Sequence, residues 1–226
     1  MHVGKRIGIV IPSSNVVIEP LAMQRSKVSY DTVHFSRLGV VNIGLTEDSL
    51  VQFEMREQLS AAQKLCDARV DAIVWGGTSS SWLGIERDEE YCNFIQQKTG
   101  TPTTTCVLEM NRKVASLGAR RLAIVTPYTD DVHNQILDNY EDLGFPRPIG
   151  QNFGGSVSND FASISPNILG DMIRNVAKAS PEVILIMCTN LRGESVAEDL
   201  SKEVGVPVID SAVATLEAGS RLISSS

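Results

Sequence analysis

Short runs of apolar residues alternate along the chain with longer segments whose apolar positions recur at helical spacing. Two runs, Ala72–Trp75 and Val183–Met187, are apolar throughout, which is typical of strands buried on both faces of a parallel sheet. Alternation of such strands with helices indicates βαβ units. The predicted strands are Arg6–Ile11, Val33–Leu38, Ala72–Trp75, Thr103–Thr105, Arg121–Thr126, Pro148–Asn152, Val183–Met187 and Val208–Asp210. The predicted helices are Val17–Ser26, Asp48–Ala68, Ile85–Lys98, Leu108–Leu117, Asp130–Leu143, Pro166–Ala179, Glu194–Val204 and Ala212–Leu222.

An internal repeat divides this pattern into two similar halves. The segment Arg6–Ser13 recurs as Arg121–Tyr128, and Gly100–Thr103 recurs as Gly205–Val208. We therefore expect an α/β fold of two halves, each a parallel four-stranded sheet flanked by helices, related by a pseudo-twofold axis. The predicted halves are residues 1–110 and 111–226, with the last helix able to pack back on the first half. The carboxyl ends of both sets of strands would face a shared cleft, where open α/β sheets bind ligands.

Composition and charge narrow the range of partners. The chain of 226 residues has a net charge of −7, which argues against a nucleic-acid surface because phosphate binding needs concentrated Lys and Arg. No apolar stretch approaches the roughly 18 residues that span a bilayer, and the first strand begins too early for a signal peptide. We expect a cytoplasmic protein with no membrane or nucleic-acid partner. If the chain assembles, a homo-oligomer is the usual form.

Cysteine and histidine spacing predicts neither a disulfide framework nor a metal site. The cysteines are scattered and fit reduced thiols, and the histidines are too far apart for a metal site or a catalytic triad. We therefore expect no metal and no cofactor. The residues concerned are Cys66, Cys92, Cys106, Cys188, His2, His34 and His133.

Cys188 is the leading candidate for chemistry. It follows the buried strand Val183–Met187 and precedes a polar turn that begins with Thr189, so it is expected at the edge of the cleft. Donors in that turn and a helix beginning near Gly193 would bind anions and lower the pKa of the thiol. The alternative is a small buried side chain at the end of a strand, since free Cys is among the most buried residue types.

The corresponding place in the first half holds a turn of small residues, Gly77–Ser81. An ungapped superposition pairs Gly77 with Cys188 and Thr78 with Thr189, so only one half carries a thiol. Small residues with hydroxyl and N–H groups, Thr78 and Ser79 among them, can cradle an anion. The alternative is a Ser-rich loop held by local hydroxyl–backbone bonds.

Two further segments follow the first strand of each half. Pro12, Ser13 and Asn15 offer donors for a carboxylate, although Ser and Asn are also usual N-cap residues. Tyr128 occupies the matching place in the second half, where its phenol could donate to a developing oxyanion.

In these motifs the chain resembles the aspartate/glutamate racemase superfamily, in its branch of maleate cis-trans isomerases and arylmalonate decarboxylases. The Gly77–Ser79 turn, the segment Tyr128–Val132 and the single late Cys188 are similar to arylmalonate decarboxylase. The resemblance implies an oxyanion hole formed by Thr78, Ser79, Tyr128 and the backbone at Cys188 and Thr189, with Cys188 as proton donor. Racemases and isomerases of the group typically carry two cysteines, and Gly77 stands at the first of these positions.

Other motifs are closer to the isomerases. The segment Pro12–Asn15 resembles their opening, where the Asn contacts the substrate carboxylate, and Asn159–Ile164 resembles an isomerase loop. Ser80 and the region 156–160 predict a pocket more polar than the apolar one of the decarboxylase.

Three functions are therefore considered. The first is a cofactor-independent decarboxylase of a small substituted malonate or related dicarboxylate, since one thiol suffices to protonate an enediolate on one face. The second is a maleate-type or racemase-like isomerase, although two-thiol racemisation is hard to sustain with Gly77 in place of a cysteine. The third is a carboxylate-binding protein without catalysis.

Overall fold

The protein, described here by a computed structural model for residues 4–25 and 32–224, contains two four-stranded parallel sheets. The strand order is β2-β1-β3-β4 in the first sheet and β6-β5-β7-β8 in the second. The strands of the first sheet are β1 Arg6–Pro12, β2 Thr32–Leu38, β3 Ala72–Trp75 and β4 Thr103–Thr105. Those of the second are β5 Leu122–Tyr128, β6 Ile149–Gly155, β7 Val183–Ile186 and β8 Val208–Asp210. The identical order in the two sheets confirms the predicted α/β fold of two similar halves.

Helices flank both sheets. They are α1 Ile18–Arg25, α2 Glu47–Leu50, α3 Met55–Asp67, α4 Ser80–Leu83, α5 Glu86–Thr99, α6 Cys106–Ser116, α7 Asp130–Asp142, α8 Ser158–Phe161, α9 Pro166–Ala177, α10 Ala197–Val204 and α11 Ser211–Ser224. Short 3-10 turns lie at Val51–Phe53 and Gly193–Ser195. One end of the first predicted helix, Ser26, lies outside the described residues.

The central strands explain why both sheets are buried. Every residue of β3 and β7 is buried, and each strand pairs with a longer strand, β1 or β5, that is also largely buried. Apolar side chains on both faces of a strand require helices on both sides of the sheet. The order of elements along the chain supplies these helices.

Three local differences from the sequence prediction all lie near the carboxyl ends of the strands. The predicted helix Asp48–Ala68 is interrupted because Glu54 has extended backbone (φ −64°, ψ 136°). The short helices α4 and α8 occur where loops were expected. The helix predicted to begin near Gly193 begins at Ala197, after a 3-10 turn.

The last helix, α11, packs against the first sheet and against α1 and α6. Gly219 permits this close approach, because a Cβ atom there would lie only 2.4 Å from Cγ2 of Ile7. Together α1, α11 and one face of the first sheet enclose a separate apolar cluster. The division into 1–110 and 111–226 remains a prediction, and residue 110 lies within α6.

Asp210, at the end of β8, provides a test of how this helix is anchored. Its Oδ1 accepts a hydrogen bond from the N–H of Val213 at 2.8 Å, in the first turn of α11. Its Oδ2 is buried and has no partner among the described residues. Burial, with a contribution from the charge of Glu194, raises the pKa of Asp210 from 3.8 to about 7.

We predict that Asp210→Asn stabilises the protein at pH 8. A carboxyl group whose pKa is raised on folding stabilises the fold fully below its unfolded pKa, and this contribution is lost as the pH rises through the folded pKa. Asn keeps the cap and removes the charge, so the free energy of unfolding should rise by about 1–3 kcal/mol at pH 8 and change little at pH 4. Denaturant unfolding at both pH values measures this difference, with the exposed Asp142→Asn as control. Equal stability of Asp210→Asn and wild type at pH 8 would contradict the prediction.

Candidate active site

A narrow pocket lies where the carboxyl ends of the two sheets meet, with an empty volume of about 330 Å³. Of the site residues predicted from the sequence, all except Ser13 line it: Pro12, Asn15, Gly77, Thr78, Ser79, Tyr128, Cys188 and Thr189. The remaining polar lining residues are Ser158 and Asn190, and the apolar ones are Val40, Ile43, Phe53, Trp75, Trp82 and Phe161. The two halves thus contribute to one pocket. Its polar groups come mainly from loops after β1, β3 and β7.

Ser13 is placed outside the pocket, contrary to the expectation that it binds substrate. Its side chain is exposed, and its hydroxyl lies 3.4 Å from the carbonyl oxygen of Val40. Its backbone N–H donates to the carbonyl of Leu38 at 2.6 Å, which continues the pairing of β1 with β2. That pairing directs Ser13 toward the neighbouring strand.

The thiol of Cys188 is 4% exposed. Burial raises its pKa to about 11, although the Tyr128 hydroxyl and the backbone N–H groups of Asn190 and Leu191 act in the opposite direction. The prediction of a lowered pKa is therefore wrong. The expected helix N-terminus is not beside the sulfur, since α10 begins only at Ala197. Cys188 is a neutral thiol, and these nearby donors would stabilise its thiolate.

Tyr128 lies between the two polar loops. Its hydroxyl is 2.9 Å from Oγ1 of Thr78, and it also interacts with the thiol of Cys188. Burial raises the pKa of Tyr128 well above its ordinary value, so the phenol retains its proton. Its ring packs edge-on against Trp82 and Phe161, with centroid distances of 5.1 and 5.5 Å. These contacts fix the hydroxyl within reach of both halves.

Five backbone N–H groups along the lining have no acceptor within the described part of the chain. They belong to Gly77, Thr78, Ser79, Cys188 and Thr189. Buried N–H groups are nearly always paired, so such donors around one pocket are suited to the oxygens of an anion. The Ser79 hydroxyl accepts a hydrogen bond from Nε1 of Trp75 at 3.1 Å, which leaves its own proton available.

Asn15 and Thr189 join the two halves at the lining of the pocket. Oδ1 of Asn15 caps α1 by accepting from the N–H groups of Val17 and Ile18 at 3.0 and 3.1 Å. Its Nδ2 lies 3.1 Å from the carbonyl oxygen and 3.2 Å from Oγ1 of Thr189. The Thr189 hydroxyl donates to the carbonyl of Gly76 at 2.9 Å. Both hydrogen-bonding groups of Asn15 are thus committed to the protein.

Asn190 makes a second set of contacts between the halves. Its Oδ1 accepts from the N–H of Val16 at 2.9 Å, and its Nδ2 donates to the carbonyl groups of Ser158 and Ser14 at 2.6 and 3.3 Å. Asn190 was absent from the predicted site residues. Its position two residues after Cys188, in the same turn, was the signal that could have identified it.

The two loops beside the apolar wall pair with each other. The N–H of Ile43 donates to the carbonyl of Ser156 at 2.9 Å, and the N–H of Ser158 donates to that of Val41 at 3.0 Å. These bonds hold Ile43 against the pocket from the first half and α8 from the second. Phe53, which also lines this wall, reaches it because the chain leaves the helical path after α2.

The wall is less polar than the sequence suggested. Ser80 does not line the pocket, since its hydroxyl donates to Oδ2 of Asp88 at 2.7 Å. Asp160 is exposed and outside the lining, and Phe161 occupies the space beside Tyr128. The prediction of a polar wall is therefore wrong for Ser80 and holds only for Ser158.

The space that a side chain at Gly77 would take is occupied by an indole ring. A Cβ atom on Gly77 would lie 2.4 Å from Cζ2 and 2.6 Å from Cε2 of Trp75, well inside van der Waals contact. Gly77 and Trp75 therefore form a matched pair, in which the absence of one side chain makes room for the other. Cys188 and Tyr128 are the only ionisable side chains among the described residues that line the pocket.

We predict that Gly77→Ala is destabilising and that Trp75→Leu suppresses this effect. The added methyl group requires the indole to move, at a cost of about 1–3 kcal/mol. With Trp75→Leu as background, the same Gly77→Ala change should cost less than half as much. Unfolding of the two single variants and the double variant measures the coupling. Additive effects would show that the two positions do not compete for space.

Comparison with known proteins shows the family to which the chain belongs. Residues 7–226 match the family model described as arylmalonate decarboxylase. Maleate isomerase of Geobacillus stearothermophilus is 22% identical over 93% of this chain and 88% of its own. Arylmalonate decarboxylase of Bordetella bronchiseptica is 25% identical over 53% of this chain and 51% of its own.

The fold is shared with solved structures of these enzymes. A mutant of Nocardia farcinica maleate cis-trans isomerase, with a covalently bound succinylcysteine intermediate, matches with a TM-score of 0.85 at 18% identity, covering 97% of this chain and 93% of that one. No helix in the described residues has the length and apolar character needed to cross a membrane. The chain belongs to the arylmalonate decarboxylase family, and its relatives include both arylmalonate decarboxylases and maleate isomerases.

Proposed function

We propose that the protein is a cofactor-independent decarboxylase of a small substituted malonate or related dicarboxylate. The observation that carries the proposal is the asymmetry of the pocket. A neutral thiol, Cys188, lies on one side, and the Gly77 backbone with the Trp75 indole lies where a second thiol would be. Such a pocket can protonate a carbanion-like intermediate on one face and has no second acid or base for the other.

The retained carboxylate of the substrate would be held by neutral donors. The N–H groups of Thr78, Ser79 and Thr189 and the hydroxyl of Tyr128 surround the same space. When the bond to the departing carboxylate breaks, its electrons pass to the retained carboxylate, which becomes an enediolate. Fixed donors stabilise this developing charge without metal or organic cofactor.

The departing carboxylate would lie against the apolar wall. The side chains of Val40, Ile43 and Phe53 offer it no hydrogen bond. Nε1 of Trp82 is buried in the same wall and has no partner among the described residues. A carboxylate placed in apolar surroundings is poorly solvated, and its loss as neutral CO2 relieves that penalty.

Protonation then completes the reaction. The S–H group of Cys188 gives its proton to the α-carbon, and the resulting thiolate is stabilised by Tyr128 and by the N–H groups of Asn190 and Leu191. A proton from water restores the thiol before the next turnover. These three donors do not lower the pKa enough to ionise the resting thiol. They do stabilise the thiolate in the step in which the sulfur becomes charged.

A maleate isomerase is the second candidate, because such enzymes occur among the relatives. Addition to a double bond requires a thiolate, and a pKa of about 11 leaves roughly one thiol in ten thousand ionised at pH 7. The amide of Asn15, the expected carboxylate contact of an isomerase, is already bonded to Thr189. A third candidate is a carboxylate-binding protein without turnover, and no contact specifically favours it.

A substrate panel in D2O tests the proposal. The panel contains phenylmalonate, methylmalonate, maleate and aspartate, and the products are observed by proton NMR. We expect phenylmalonate or methylmalonate to lose a carboxyl group and to gain one deuterium at the α-carbon. Aspartate is included to detect exchange of the α-proton. Cys188→Ser, which keeps the shape of the site, should reduce turnover at least about a hundredfold with an unchanged melting temperature. Fumarate formation from maleate without CO2 would assign the protein to the isomerases. Ligand-dependent thermal stabilisation with no product from any acid would indicate a binding protein.

The pH dependence separates the two enzymatic mechanisms. A proton donor with a pKa of about 11 is fully protonated below that value, so kcat for decarboxylation should be flat from about pH 7 to about pH 9.5. A mechanism that needs the thiolate would accelerate about tenfold per pH unit over the same range. Steady-state rates at saturating substrate measure the slope. A rise of that size with malonates would contradict Cys188 as proton donor.

A further inference from the structure

A buried carboxyl group, Asp88 in α5, lies against the turn that supplies the anion donors. Asp88 is 3% exposed and does not line the pocket. Its Oδ2 accepts a hydrogen bond from Oγ of Ser80 at 2.7 Å and another from Oγ1 of Thr105. Ser80 directly follows Ser79, and Thr105 caps α6 by accepting from the N–H of Leu108 at 3.1 Å. One carboxyl oxygen therefore joins the turn to the end of β4.

The other contacts of the turn are made by neutral groups. The Ser81 hydroxyl donates to the carbonyl of Thr78 at 2.7 Å, and Nδ2 of Asn139 donates to the carbonyl of Ser81 at 2.9 Å. Nε1 of Trp75 donates to Ser79. Among the described residues, Asp88 is thus the one ionisable hydrogen-bond partner of residues 78–81 apart from Tyr128, and hydrogen bonds to an ionised group are the strong ones.

We propose that Asp88 is a positioning residue which, acting through Ser80, holds the N–H groups of Thr78 and Ser79 in place for the substrate carboxylate. The role in turnover rests on the proposed function. The ionised carboxylate is the working form, because both hydroxyls donate to it. Protonation weakens both bonds and loosens the start of α4.

The charge on Asp88 is set by its surroundings. Burial raises its pKa to about 6, and the hydrogen bonds from Thr105 and Ser80 oppose this shift. From α3, Met55 and Gln58 face the adjoining space, and Arg87 is the charged side chain that lines it. Four buried groups near Asp88 are neutral between pH 5 and pH 8, because burial raises their pKa: Tyr91 and Cys92 in α5, Cys106 in α6 and Tyr140 in α7. The carboxyl groups beside Asp88 in α5, those of Glu86, Glu89 and Glu90, are exposed.

Tryptophan fluorescence offers a readout that needs no substrate. The chain contains two tryptophans, Trp75 and Trp82, and both line the pocket on either side of the turn. We expect the wild type to show a fluorescence transition with a midpoint at about pH 6. Asp88→Asn, which keeps the shape and an acceptor oxygen, should lack it. Tyr91→Phe should retain the transition. This control removes a neighbouring buried hydroxyl group that has no hydrogen-bond partner among the described residues.

Kinetics at pH 8 provides the second readout. Asp88→Asn and Ser80→Ala should each lower kcat about tenfold, because the charge that the turn must stabilise is largest in the transition state. KM should change less, and Tyr91→Phe should have wild-type kinetics. If Asp88→Asn fails to fold, the kcat of Ser80→Ala tests the proposal by itself. That variant removes the hydrogen bond between Ser80 and Asp88 and leaves the carboxyl group in place.

A transition near pH 6 that persists in Asp88→Asn, or a wild-type kcat in both Asp88→Asn and Ser80→Ala, would overturn the proposal. If no acid in the panel is turned over, the proposed function fails. The fluorescence titration then still decides whether the charge on Asp88 controls the turn.

Discussion

The hydrogen bonds of Thr189 are the contacts on which the site depends. Thr189 accepts from Asn15 and donates to Gly76, both in the first half, and it is adjacent to Cys188. Gly76 in turn is adjacent to Gly77. Buried polar groups that lose their partners are costly, so the two sheets have one favoured relative position. The bonds that fix this position also fix the thiol relative to the anion-binding turn.

Desolvation then determines the chemistry available at the sulfur. The Tyr128 hydroxyl and the N–H groups of Asn190 and Leu191 act to lower the pKa of Cys188, yet burial outweighs them and the pKa is raised. The same burial keeps the Tyr128 phenol protonated. The pocket is therefore built from neutral donors, and charge appears in it only with the substrate and in the steps that follow.

Sequence periodicity was sufficient for the sheets and for the residues at the ends of the buried strands. The apolar runs of β3 and β7 predicted their burial, and the repeat correctly placed Gly77 and Cys188 at one cleft. Features that depend on contacts distant in sequence were not predictable. Glu54 interrupts a helix whose periodicity is otherwise continuous, and the 3-10 turn before it carries Phe53, which lines the pocket. The direction of the Ser80 hydroxyl depends on Asp88, and the neutral Cys188 thiol depends on burial that the local sequence does not reveal.

The position of α11 has a consequence for the order of folding. This helix follows the second sheet along the chain, yet it covers one face of the first sheet, where Ala212, Ala218 and Ile223 pack with residues of its strands. The first sheet therefore cannot bury all of its core until α11 has docked on it. Contacts between segments that are far apart in sequence form slowly, because a long loop must be ordered first. Docking of α11, rather than completion of each half in turn, is expected to be the folding step that closes the core of the first sheet.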